Sequence, residues 1–421
     1  MGNNIAVIGA GSVYTPELVT EFFRDGGKLV KFDRMTLMDI NRKRLDIVGG
    51  LTQRMALRQG VNADIVLTTS LEKAVKGARF VIVQIRVGGN QARYIDETIP
   101  VRHGVIGQET TGPGGMFKAL RTIPAVVAIA RAVKRAAPGA WILNFANPSG
   151  LVTEAVLKTV PGVKMLGICS AQLGRKGWVS GALKVDPKRI RVKSVGLNHL
   201  AWVYRIWVDG REVTDRFFTR TKKFGWWDAG LIRAVRGIPI GYLEYYYDTD
   251  KMLAHMKHGP KRSQQVLKIE KKLLARYADP KLDEPPEELK LRGGSGYSEA
   301  MTTVMRALTG VKPATIPMNV QNRGSVPGFA PDAVLEIESR LDPRAVTPQR
   351  YSLAEIPAGQ LGLMHAVKAY ETLTAEAALT GNYTTSLAAM IAHPLVPSLS
   401  VGRKILDSML RAHRRYLPQF K

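Results

Sequence analysis

The chain has 421 residues, 45% of them hydrophobic and 23% charged, which exceeds the size at which one core keeps growing and points to two domains or one interwoven α/β body. No apolar run reaches the roughly eighteen residues that would span a bilayer, which excludes a helical membrane protein. The formal charge of +26, from 61 basic and 35 acidic residues, would suit a polyanion. However, the basic residues are scattered, with "RAHRRY" their longest cluster, and no zinc-finger spacing or RNP-like aromatic strand accompanies them, so specific nucleic-acid recognition is not expected.

The N-terminus, "MGNNIAVIGAGS", runs straight into a strand-like segment without the regions of a secretory leader. One cysteine in the whole chain excludes an internal disulfide, and a reducing cytoplasm is the expected compartment. Over the first 170 residues "IAVIG", "RMTLMD", "ADIVLTT", "FVIVQIR", "WILNFANP" and "KMLGIC" read as buried strands. Between them "TPELVTEFFRDG", "NRKRLDIVGGLTQRMALRQG" and "GGMFKALRTIPAVVAIARAVKRA" carry helical periodicity. This alternation predicts an α/β fold, a Rossmann-like doubly wound parallel sheet covered by helices on both faces. From about residue 188 paired strands appear, "RIRVKSVGL" and "AWVYRIWVDG", followed by a long helical stretch with Pro-rich loops. The expected division is 1–170 for nucleotide binding and 171–421 for an α+β domain carrying substrate, metal and oligomer contacts.

"IAVIGAGSVYTPEL" reads as strand, glycine turn and helix start, where free amides and the helix dipole can hold a pyrophosphate. Gly9 allows the turn and Gly11 the approach of phosphates, with Ser12, Val13 and Tyr14 completing it; Tyr14 stands where the last glycine of G-x-G-x-x-G would be. Asp39, closing "LMDI", is placed to accept from both ribose hydroxyls, and so favours NAD over NADP, whose extra phosphate it would repel.

Polar segments follow the strand ends: "QIRVGGNQARYIDE", "GVIGQETTGPGGMFKALRTIP", "NFANPSG", "GICS" and "GLNHLAW". With "IPIGYLEYYYDTD", "LRGGSGYSEA" and "HPLVPS" downstream, their order resembles glycoside hydrolase family 4 over most of the chain, nearest its 6-phospho-β-glucosidase branch. The resemblance implies a soluble enzyme, a homodimer or homotetramer, that uses NAD+ and a divalent metal such as Mn2+ on a phosphorylated glycoside. It implies oxidation at sugar C3, deprotonation at C2, elimination at C1, addition of water and return of the hydride. No pair of carboxylates suited to direct hydrolysis stands out in the sequence, which agrees with such a route.

The resemblance makes Cys169 and His199 the metal ligands and Tyr242 the base at C2; taken alone, a lone cysteine in "MLGIC" or a tyrosine in "YLEYYY" would read as core packing. Arg93 and Asn147 match substrate-binding positions, and Arg93 is the candidate for the sugar phosphate because guanidinium pairs with phosphate through a bidentate fork. Arg86 could share that role or hold the loop, and Glu109 and Asn198 are expected to line the pocket. "TGPGG" reads as the cap of a long helix. After the metal cysteine, α-type members carry an aspartate and β-type members usually an asparagine, whereas this chain has Ser170. That argues against an α-phosphoglucosidase and leaves the β reading short of one contact, so α-galactoside and α-glucuronide specificities stay open. A dehydrogenase of the malate or lactate type and a nucleotide-sensing or polyanion-binding protein are the other readings.

Overall fold

The computed structural model describes residues 3–220, 223–293 and 296–420. All six expected strands form: β1 (Asn4–Ile8), β2 (Arg34–Met38), β3 (Asp64–Thr68), β4 (Phe80–Val83), β5 (Trp141–Asn144) and β6 (Lys164–Gly167). They pair in parallel in the order 3-2-1-4-5-6, the doubly wound arrangement whose ligand crevice lies beyond the carboxyl ends of the strands. Each strand stops before the polar residues of its motif, which therefore turn out over that edge. Helices α1 (Thr15–Gly27), α2 (Arg42–Arg58), α3 (Leu71–Val75), α4 (Gly89–Arg102), α5 (Gly112–Ala136) and α6 (Ser149–Thr159) make the connections. The chain after "QIRVGG", read from sequence as a polar loop, is helical from Gly89 onward, with Gly88 in the left-handed region at φ 79° as its cap.

The sheet does not end at residue 170. Beyond it come the hairpin of β7 (Ile190–Leu197) and β8 (Leu200–Val208), then the short β9 (Arg211–Glu212), β10 (Lys223–Phe224), β11 (Trp227–Asp228) and β12 (Ile238–Pro239). Farther on, β13 (Ala314–Gln321), β14 (Val334–Leu341) and β15 (Val346–Pro348) join the first sheet antiparallel to β6, through the pairing of Asn319 with Gly167. The second part of the chain thus completes one edge of the sheet that the first part begins.

Buried ion pairs fix the helices that carry the site. Arg121 of α5 holds Asp96 of α4 through two bonds, 2.9 and 2.7 Å, and His413 lies 2.9 Å from the same carboxylate, pinning the helix Leu399–His413 to both. Glu154 of α6 meets Lys368 of the helix Ala358–Thr380 at 2.9 Å. Burial alone would raise the Glu154 carboxyl, but the Lys368 ammonium overcomes it and holds the acid at about 2. Removing one member of such a pair strands its partner without water, at a cost of about 3–5 kcal/mol.

Candidate active site

At the end of β1, Gly9 takes φ 91°, and a Cβ there would lie 3.1 Å from the Gln84 and Ile85 backbone, so only glycine makes this turn without strain. The amides of Gly9 and Ala10 donate to Met38 O at 2.8 and 2.9 Å, which brings the turn against the end of β2. There Asp39 accepts from the Gly11 amide through Oδ2 at 2.9 Å and from the Asn41 amide through Oδ1 at 2.8 Å. A Cβ on Gly11 would stand 2.8 Å from that Oδ2. The turn and the acid expected to meet a ribose are therefore one unit, with the Asp39 carboxylate filling the space that a side chain on Gly11 would take. Ser12 accepts the Tyr14 amide at 3.2 Å. Val13 is fully buried and contributes through its backbone, its carbonyl accepting the Tyr277 hydroxyl at 2.8 Å. The Tyr14 ring meets Tyr297 edge-on at 5.3 Å, with Arg292 over it at 5.8 Å.

Asn198 and His199 form the two-residue turn of the β7–β8 hairpin, where Leu197 pairs with Leu200. His199, in the left-handed region at φ 65°, carries its ring on this turn. That ring stacks on Tyr242 at 3.9 Å and 8°. Burial, helped by Lys118, pushes the imidazole down to about 3, so it is neutral at physiological pH, and its buried Nδ1 has no hydrogen-bond partner. Cys169 follows β6, its sulfur accepting the Ala171 amide at 3.5 Å. Burial and then the Glu336 carboxylate push the thiol up to about 12, while Asn198 opposes the rise. Asn198 is itself fixed, its Oδ1 accepting the Ser149 amide at 2.8 Å. A neutral imidazole with an unpaired nitrogen and a buried thiol that a cation would ionise are two donors fit for a divalent transition metal that takes its remaining ligands from oxygen. Among the described residues no group of three or more His, Cys, Asp or Glu could hold a metal, so further ligands would come from water or substrate.

Tyr242 lies in the turn Gly241–Leu243 after β12. Burial, then Cys169, Tyr297 and Glu109, all raise its phenol above the usual range. These neighbours also locate it: the phenol stacks on the His199 imidazole and lies near the Cys169 thiol.

The arginines and Glu109 assemble beside them. Glu109 accepts from Lys118 at 2.8 Å, from Arg93 at 3.1 Å and from Arg86. Although burial works against it, Arg86 and Lys118 hold this carboxyl well below the usual range. Burial and then Arg86 lower the Lys118 ammonium to about 7. Arg93 also pairs with Glu97 at 2.6 Å, and Glu97 accepts from the Ser263 amide and hydroxyl. The expected phosphate-binding arginine is thus held by two carboxylates inside a cluster rather than standing free. Asn147, before the cis peptide to Pro148, donates to Phe145 O at 3.2 Å, while its buried Oδ1 has no partner. "TGPGG" begins α5, as its cap reading required, and its glycines permit contact: a Cβ on Gly114 would lie 2.2 Å from Gln108 O.

Sequence reasoning missed Lys118, Arg292, Tyr297 and Glu336. The carboxyl of Glu336, fully buried on β14, is pushed up to about 8 by burial, against the opposing effect of Gln172 and Asn198. Tyr297 and Arg292 stand in "LRGGSGYSEA", whose Gly294 and Ser295 lie outside the described residues.

A model described as "Family 4 glycosyl hydrolase" matches residues 4–185, and its C-terminal domain matches residues 194–396. The chain belongs to glycoside hydrolase family 4. Within family 4 it is 39% identical over 436 residues to a probable 6-phospho-β-glucosidase of Bacillus subtilis, covering 100% of this chain and 98% of that one. Identity to a 6-phospho-α-glucosidase of Leptotrichia buccalis is 27%, over 99% of both chains. The 6-phospho-β-glucosidase of Thermotoga maritima, solved with manganese, NAD+ and glucose-6-phosphate, superposes with a TM-score of 0.88 at 34% identity, covering 98% of this chain and 99% of that one. Family 4 membership sets aside the simple dehydrogenase reading, and the doubly wound sheet is the family's own.

Proposed function

We propose that this enzyme hydrolyses 6-phospho-β-glucosides with NAD+ and a divalent metal, manganese foremost. The observation that carries the reading is the convergence of Cys169, His199 and Tyr242 beside a buried cationic cluster in a family 4 chain. Greater identity to the β-phosphoglucosidases than to the α enzyme supports the anomer. The turn from Gly9 to Tyr14 and Asp39 would hold NAD+, and Cys169 with His199 the metal. When bound, these groups would supply a hydride acceptor for sugar C3 and a Lewis acid for the oxygens on C2 and C3.

The chain's own residues do the rest. Tyr242 Oη takes the C2 proton, which a C3 ketone has made acidic; because burial raises this phenol, its ionisation depends on positive charge brought to Cys169 and His199. Arg86, Arg93 and Arg292, with Lys118 beside them, face Glu97, Glu109 and Glu270, and these guanidinium groups are the candidates to meet a sugar phosphate. Asn147 Oδ1 remains to accept from a sugar hydroxyl. Neutral His199 is ready to ligate without first losing a proton. The single cysteine supports a cytoplasmic location, and the family resemblance supports a homodimer or homotetramer; among the described residues no helix is long and apolar enough to cross a membrane.

The test is turnover of p-nitrophenyl 6-phospho-β-glucoside with NAD+, Mn2+ and a reductant, each omitted in turn, beside the α-anomer and the unphosphorylated glucoside. Turnover of the phosphorylated β-substrate alone, lost without NAD+ or Mn2+, is expected. Preference for the α-anomer or the unphosphorylated sugar would overturn the substrate, and activity indifferent to both additives after chelation and dialysis would overturn the chemistry.

A further inference from the structure

Two of the arginines offered to the sugar phosphate stand on either side of a weak joint. Arg86 follows β4, Arg93 lies near the start of α4, and between them Gly88 and Gly89 take φ 79° and 58°. Two successive glycines leave the backbone very permissive, so the spacing of the guanidinium groups depends on what holds this joint. Glu109 bridges both heads in the structure, but an entering phosphate competes with that carboxylate for the same donors. The spacing must then come from the backbone.

Gly89 lends no hold, since a Cβ there would meet nothing within 4 Å. Gly88 is held from outside α4. A Cβ on Gly88 would lie 3.1 Å from Cε2 and Cζ of Tyr416, so the edge of that ring rests on the glycine itself. Tyr416 belongs to the short turn Arg414–Tyr416 that follows the helix Leu399–His413. Arg415 lies over its ring at 4.5 Å and reaches Gln91 Oε1 at 3.2 Å, two residues before Arg93. On the other side of the joint, Arg121 donates to Val87 O at 3.4 Å, while its guanidinium holds Asp96 and lies 3.4 Å from His413 Nε2. Residues 87, 88 and 91 are thus fixed by the C-terminal segment or by an arginine in contact with it.

We infer that Tyr416 is a positioning residue for the sugar phosphate: pressed on Gly88 and backed by Arg415, it fixes the start of α4 so that Arg86 and Arg93 meet one phosphate together. It acts through Gly88 and not on the reacting atoms. Its contribution is preorganisation, which spares the bound state the entropy of ordering a pair of glycines. Any side chain at position 88 would defeat the arrangement, because its Cβ would meet Ala92 Cβ at 2.5 Å as well as the Tyr416 ring.

This inference rests on the substrate reading above, and the experiment separates the two. KM for p-nitrophenyl 6-phospho-β-glucoside, the inhibition constant of glucose 6-phosphate, and the affinities for NAD+ and Mn2+ are measured on the wild type, Tyr416→Ala, Tyr416→Phe and Arg415→Ala. Wild-type turnover of the unphosphorylated glucoside is measured beside them. Tyr416→Ala should raise KM and the inhibition constant together by about tenfold, the worth of one hydrogen bond to a charged group, and leave the NAD+ and Mn2+ affinities unchanged. Tyr416→Phe keeps the ring and should match the wild type. Arg415→Ala, a change at the exposed surface, should move the same two constants by about two- to fivefold, the range of an exposed cation–π contact, and so tests the inference even if Tyr416→Ala does not fold. Unchanged constants in either alanine variant, a Tyr416→Phe as impaired as Tyr416→Ala, or NAD+ affinity weakened as much as that for glucose 6-phosphate would overturn the inference and leave Tyr416 a packing residue. A wild type that takes the unphosphorylated glucoside as readily would overturn the substrate reading itself, and the inference with it.

Discussion

Glu109→Gln is the perturbation with the sharpest signature. The carboxylate compensates Arg86, Arg93 and Lys118 in a largely dry site, and the amide keeps its shape but not its charge. Removing one partner from a buried ionic cluster costs about 3–5 kcal/mol, and here that cost should depend on pH through Lys118. In the wild type, burial and Arg86 lower this ammonium from 10.5 to about 7. Between those values the unfolded chain holds the proton and the folded chain does not, so stability gained from this group rises with pH and levels off below about 7. Without Glu109 the folded value drops further and the slope extends below 7, by up to about 1.4 kcal/mol per pH unit. Urea unfolding of both proteins, free of metal and cofactor, at pH 6, 7 and 8 reads the difference. The destabilisation should be several kcal/mol at pH 7 and larger at pH 6 than at pH 8. A loss under about 1 kcal/mol, or one that grows with rising pH, would refute the reasoning.

Asp39→Asn places an amide against the Gly11 and Asn41 N–H groups that the carboxylate now accepts, and should weaken NAD+ binding about ten- to a hundredfold, the worth of one charge-assisted bond; titration calorimetry showing unchanged affinity would remove Asp39 from the cofactor site. Cys169→Ser should weaken Mn2+ binding by more than the roughly 10–100-fold typical of outer-sphere partners, read as free Mn2+ by electron paramagnetic resonance; equal affinity would mean that the sulfur is not a ligand. His393 is buried, bonded to the Tyr246 hydroxyl at 3.2 Å, and pushed by burial from 6.5 down to about 3. The unfolded chain therefore binds its proton first, and stability should fall as pH drops below 6.5, by up to about 1.4 kcal/mol per unit. His393→Gln should flatten that fall in chemical denaturation, and an unchanged slope would contradict the assignment.

The parallel half of the fold was legible because each strand is a short apolar run closed by a polar turn, and the wide helices between carry clear periodicity. The antiparallel extension was not. Nothing local in 314–348 says that Asn319 will pair with Gly167, because a pairing partner is a long-range property. The start of α4 was hidden by the two glycines that cap it. At the site, Cys169, His199 and Tyr242 could be read through ordered motifs, whereas Lys118 resembles any lysine of a long helix until the fold buries it against Glu109. Arg93 was read as the candidate for the sugar phosphate, and its pairing with Glu97, one helical turn on, follows only once "GGNQARYIDE" is known to be a helix. Glu336 carried no signal at all, since a glutamate in "VLEIESRL" gains meaning only from lying near Cys169.

The central claim is that a proton leaves C2 and returns from solvent during hydrolysis. Its most direct test is hydrolysis of p-nitrophenyl 6-phospho-β-glucoside in D2O with NAD+ and Mn2+, followed by NMR of the glucose 6-phosphate formed. Deuterium at C2 of the product is expected, along with its loss of rate when the substrate carries deuterium at C2 or C3. Product formed at full rate with only protium at C2 would mean direct displacement at C1, and would contradict the account.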